Sequence, residues 1–153
     1  MIHVEVQVAV EGHDVPEESA VRGWVEAALA GRRDEAELVV RVTGAEEARA
    51  LNRDYCGRDY PTNVLSFAFE APPVFGDTPA LGDLVICAEV VEREAQEQGK
   101  PLRDHWAHLV IHGTLHLLGY DHMKEAEAAV MEALEQDILA GLGVPDPYRD
   151  GAI

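Results

Sequence analysis

The segment His112-Gly-Thr-Leu-His-Leu-Leu-Gly-Tyr-Asp-His122 constrains the fold more than any other stretch, because it sets three imidazoles around one glycine. From Arg103 to Leu118 the apolar residues Trp106, Leu109, Val110, Leu117 and Leu118 predict a well-buried helix. His112 and His116 lie four residues apart on it and share a face, so both rings can reach one ion. His122 comes six residues later, about 240° further round a continuing helix, and would point away. The helix must therefore stop first. Gly119 can take the left-handed conformation that ends a helix and turns the chain back.

Three histidine nitrogens with a fourth position left to solvent form a donor set of catalytic zinc, whereas structural zinc is usually closed by four protein ligands. Such an ion lowers the pKa of its water from ~15.7 to about 7 and polarises a phosphoryl or carbonyl oxygen. One zinc ion is the expected cofactor, although imidazole also suits iron, nickel and copper. The spacing His-x-x-x-His-x-x-Gly-x-x-His is the ligand skeleton of metzincin-type sites. Metzincin proteases carry a glutamate base directly after the first histidine, but here that residue is Gly113, which disfavours peptide hydrolysis by that route. Asp121, beside the third histidine, either orients an imidazole or caps the last helix. His105 and His108 continue the stripe two turns and one turn earlier, and read as supporting or partly exposed residues rather than further ligands.

Ahead of the histidines, apolar and polar residues alternate from Ile2 to Val10 as in a half-buried strand. Val21, Trp24, Val25, Ala28 and Leu29 then recur at helical spacing up to Gly31. A second strand runs through Leu38, Val40 and Val42, and Thr43 with Glu46 has the spacing of a capping box for a helix toward Leu51. Asp54 to Asn63 reads as a loop feeding a third strand, Val64 to Phe69, and Ala71 to Pro79 as an exposed excursion. A fourth strand at Leu84 to Cys87, a helix through Ala88, Val91 and Ala95, and a last helix with Val130, Met131, Leu134 and Ile138 inward complete the order. The length of 153 residues fits a single domain, taken as residues 1–145 with 146–153 as a short tail.

The chain has no apolar run long enough for a membrane span and no N-terminal signal pattern, so a cytoplasmic protein is expected. Cys56 and Cys87 are too few for a disulfide scaffold and read as reduced thiols. A net charge of -17 counts against a broad basic face for nucleic acid, so any such substrate must be gripped locally. The same charge would speed encounter with a basic protein partner.

The histidine string, the block Pro61-Thr-Asn-Val-Leu-Ser-Phe67, the stretch Leu81-Gly-Asp-Leu-Val-Ile86 and the pair Leu51-Asn52 together resemble the YbeY family of bacterial endoribonucleases over nearly the whole chain. The resemblance implies one α+β domain, with a small, mostly parallel four-stranded sheet packed against helices around a metzincin-like metal helix. It implies zinc at His112, His116 and His122. It also implies cleavage of single-stranded RNA in maturing the 3′ end of small-subunit (16S) ribosomal RNA and in ribosome quality control, with the ribosome or a small-subunit ribosomal protein as partner. Similar proteins carry an arginine where this chain has Cys56, and Arg58 is the nearest guanidinium. A guanidinium suits the charge that develops on phosphoryl oxygens, which makes Arg58 the candidate catalytic residue. Thr62, Asn63 and Ser66 are candidates for the cleft lining, with turn and strand-edge structure as the competing reading. A different class of function stays open: an assembly factor that docks a basic ribosomal protein, its metal mainly ordering the fold.

Overall fold

Strands whose residues alternate between core and solvent can pair only with their apolar faces in common, and here they build one sheet in the order β1-β2-β4-β3. The computed structural model describes residues 2–68, 80–120 and 125–147. Its elements are β1 (Ile2–Val8), α1 (Glu18–Leu29), β2 (Ala36–Thr43), α2 (Ala45–Cys56), β3 (Val64–Ala68), β4 (Ala80–Cys87), α3 (Ala88–Gln98), α4 (Leu102–Leu117) and α5 (Glu125–Gly141). β1 and β2 run parallel, as do β2 and β4, while β3 lies antiparallel on β4 at the sheet edge. The α+β class and the mostly parallel four-stranded sheet agree with the sequence reading.

The buried helix is α4, which packs on α1, α3, α5, β3 and β4. Trp106, Ala107, Leu109, Val110, Ile111 and Leu115 are all nearly inaccessible to solvent, as are Val21, Trp24, Val25, Ala28 and Leu29 of α1. A separate small cluster of Ala48, Cys87 and Val90 joins α2 and α3. Both cysteines are free thiols, Cys56 exposed and Cys87 buried. Among the described residues no helix is long and apolar enough to cross a membrane.

Several local expectations fail for identifiable reasons. Thr43 does not cap α2: it is the last residue of β2, its hydroxyl donates to the Gly44 carbonyl at 3.1 Å, and Gly44 occupies the N-cap position with no side-chain cap. The helix also runs on to Cys56 and closes at left-handed Gly57, so Asp54 to Cys56 form its last turn rather than a loop. β4 begins at Ala80 instead of Leu84. On α5, Met131 is buried and Leu134 and Ile138 pack against the core as expected, but Val130 is 54% exposed, and Glu135 and Leu139 join the most buried line. Phe69 and the Ala71 to Pro79 excursion lie outside the described residues.

Two glycines permit close approach. Gly113 brings α4 onto the sheet: a Cβ there would sit 2.8 Å from a Leu84 methyl and 3.2 Å from Val64. The position at which a protease of this ligand spacing carries its glutamate therefore faces the packed sheet in this chain. Gly82 lies where the β2–β4 register slips, at φ +153°, and a Cβ would collide with the Phe67 carbonyl oxygen and lie 2.8 Å from Leu117. Strained backbone and overpacking each cost about 1–3 kcal/mol. Gly82→Ala is therefore expected to lower stability by about 3 kcal/mol, a fall in Tm of about 6–12 °C in a thermal melt. An unchanged Tm would contradict this account of the sheet edge.

Candidate metal centre and cleft

α4 presents His105, His108, His112 and His116 along one side, and α5 sends a carboxylate to meet them. Glu135 is wholly buried. One of its oxygens accepts from His108 Nε2 at 3.1 Å, and the other is hydrogen-bonded to His112 Nδ1. A buried carboxylate is costly unless its oxygens are satisfied, and two imidazoles supply what water no longer can. Burial pushes the His108 imidazole below its usual pKa despite the neighbouring carboxylate, so at neutral pH it is an uncharged donor.

The carboxylate accepts but cannot donate, so it fixes the His112 proton on Nδ1 and leaves the Nε2 lone pair directed elsewhere. That atom lies 3.2 Å from Nε2 of His116. Two nitrogens bound to one tetrahedral zinc at 2.0–2.1 Å would be separated by about 3.3 Å. The pair therefore has the spacing and the donor chemistry of two ligands on one ion.

The chain leaves α4 as the histidine spacing requires. Leu118 follows the helix, Gly119 takes φ +103°, and the amides of Gly119 and Tyr120 bond back to the carbonyls of His116 and Leu115 at 3.0 and 3.1 Å. Asp121 and His122 lie outside the described residues. Within those that are described, His108, His112 and Glu135 offer ligand atoms all within 4.8 Å of one another and could hold a metal ion as a group. Geometry separates the two arrangements by access. The Glu135 carboxylate is sealed and His108 lines a smaller cavity of about 240 Å³, whereas the His112 and His116 rings open on a cleft of about 530 Å³.

Asn52, Cys56, Arg58, Tyr60, Thr62, Asn63, Val64, Leu65 and Ser66 complete the lining of that cleft. Arg58, Asn63 and Ser66, selected from sequence, thus share one cavity with His112 and His116. Ser66 and Asn63 also hold the wall together. The Ser66 hydroxyl donates to the Gly113 carbonyl at 3.2 Å, pinning β3 to α4. The Asn63 amide donates to Glu94 at 3.0 Å while its oxygen accepts from the Val64 amide at 2.6 Å. Glu94 in turn accepts from buried His105 at 2.9 Å. Burial alone would raise the Glu94 carboxyl, but the His105 and Asn63 hydrogen bonds outweigh it and hold the group below its ordinary value. His105 is therefore a support for the cleft wall.

Sequence reasoning missed Glu135 and Glu94. Glu135 was detectable, since it falls midway between Met131 and Leu139 on the inward line of an amphipathic helix, a place where an unpaired carboxylate is not tolerated. Glu94 carries no such mark. It follows buried Val90 and Val91 by one turn, but its partners, Asn63 and His105, come from the segment before β3 and from α4.

A family model described as Endoribonuclease YbeY matches residues 7–143. The chain is 62% identical over 152 residues to the Endoribonuclease YbeY of Alkalilimnicola ehrlichii, covering 97% of this chain and 92% of that one. It is 53% identical over 150 residues to the Endoribonuclease YbeY of Pseudomonas putida, covering 98% and 95% respectively. A solution structure of a Thermotoga maritima protein superimposes with a TM-score of 0.59 at 21% identity, over 98% of this chain and 97% of that one, a likeness of fold.

Removing the partner that orients a metal-binding imidazole typically weakens metal affinity by about 10–100-fold. Glu135→Gln is expected to do so here, read by competition with a chromophoric chelator. Affinity equal to that of the parent would remove Glu135 from the centre.

Proposed function

The chain belongs to the endoribonuclease YbeY family, and we propose that it is a zinc-dependent endoribonuclease that hydrolyses phosphodiester bonds of single-stranded RNA, its metal held by His112, His116 and His122. The observation that carries this reading is the 3.2 Å approach of two imidazole Nε2 atoms on the wall of a cleft that also holds Arg58. When bound, zinc supplies Lewis acidity and an acidified water at neutral pH. The remaining work falls to the chain's own groups. Glu135 keeps the His112 lone pair aimed at the cleft. The Arg58 guanidinium, whose Nη1 donates to the Tyr60 hydroxyl at 3.3 Å, is placed to bind the charge that builds on the phosphoryl oxygens. Gly113 leaves no carboxylate beside the first histidine to act as a peptidase base.

The finer assignment rests on family resemblance: maturation of the 3′ end of 16S ribosomal RNA and ribosome quality control, in the cytoplasm, by one functional unit of residues 1–145 with 146–153 as a tail. Asp121 is proposed as an orienting neighbour of His122. A second reading is favoured by the net charge of -17, which suits a basic ribosomal protein better than free RNA. In that reading the protein is an assembly factor that docks on the ribosome with a mainly structural metal.

Cleavage of a defined single-stranded RNA by metal-loaded protein separates the two. His116→Ala is expected to fall to background and Arg58→Ala by about 100-fold, the cost of deleting one group that stabilises transition-state charge. Equal product from His116→Ala and the parent would discard the catalytic reading and leave the docking one. An undiminished Arg58→Ala rate would end the role of that side chain.

A further inference from the structure

Tyr60 lines the cleft of the two histidines, yet it is 48% exposed. The residue is nevertheless anchored at both ends. Its backbone carbonyl accepts from the side chain of Asn52, which is 2% exposed, at 2.8 Å. Its hydroxyl accepts from Arg58 at 3.3 Å. The residue between them, Asp59, is clamped by Arg49 through two bonds of 2.7 and 3.0 Å, and the Arg58 amide bonds back to the Asn52 carbonyl at 3.3 Å. A buried asparagine on α2 and a two-pronged ion pair thus anchor the main chain that carries this ring at the cavity wall, beside a guanidinium.

An acidic protein has to hold an anionic strand by local contacts, and a fixed aromatic face is the sequence-tolerant way to hold an unpaired base. Bases inside a duplex are already stacked on their neighbours and offer no free face. We infer that Tyr60 is a stacking platform for an unpaired nucleobase of the substrate strand, its main chain kept in place by Asn52, and that preference for single strands originates in this ring. The inference rests on the endoribonuclease reading above and adds a subsite and a source of selectivity to it.

Fluorescence anisotropy with an uncleavable 2′-O-methyl single-stranded oligonucleotide reads the subsite directly. Tyr60→Leu is expected to weaken binding by about 5- to 100-fold and Tyr60→Phe, which keeps the face, by no more than about twofold. In cleavage assays Tyr60→Leu should raise KM well beyond the value for Tyr60→Phe, and circular dichroism melts of both variants should match the parent. Parent-like binding by Tyr60→Leu, with the parent still cleaving RNA, overturns the stacking role alone. Equal losses in both variants also overturn it, since they would assign the effect to the hydroxyl. A parent that neither binds nor cleaves the strand overturns this inference together with the reading it rests on.

Discussion

The site depends on a carboxylate with no access to water. Glu135 is sealed between α4 and α5 and satisfied by two imidazoles, so the docking of α5 and the orientation of His112 are one event. Removing one partner of such a buried pair is far more disruptive than never having built it, because the remaining charge stays buried. The same interaction gives the histidine its chemistry. With the proton held on Nδ1, the Nε2 lone pair has one direction to face, and His116 stands 3.2 Å away in that direction.

Around this pair the fold supplies a rigid wall. Gly113 lets the helix settle on Leu84 and Val64, close enough for its carbonyl to accept the Ser66 hydroxyl. The chain from Gly57 to Asn63 is tied to α2 through Asn52 and Arg49, to β4 through the Cys87 amide, and to α3 through Glu94. Arg58, Asn63 and Ser66, selected from sequence, each have a structural partner and also line the cavity. Support and function are therefore not alternatives for Asn63 and Ser66. A polar side chain that bonds to the scaffold with one atom can present another surface to a substrate.

Much of this was legible because the signals were local. The i, i+4 histidines, the glycine at the reversal and the alternating strands each follow from the geometry of a single element, and β1, β2 and α4 appear where that geometry puts them. What stayed hidden depends on contacts between elements. Val130 looked inward by spacing, but α5 packs on α4 through a line turned toward Glu135, leaving Val130 in solvent. The Thr43 cap failed because β2 keeps that residue in the sheet through its pairing with Cys87. The Glu94–His105 bond and the anchoring of Tyr60 by Asn52 join different segments across a chain turn, and no periodicity announces them.

The central claim is that His112 and His116 belong to one metal ion facing the cleft. Elemental analysis of protein purified without added metal tests it most directly, in the parent and in a variant carrying both His112→Ala and His116→Ala. About one zinc per chain in the parent, and none in the doubly substituted protein, is the result expected. A parent free of any transition metal, or a full equivalent retained after both rings are gone, would contradict the account.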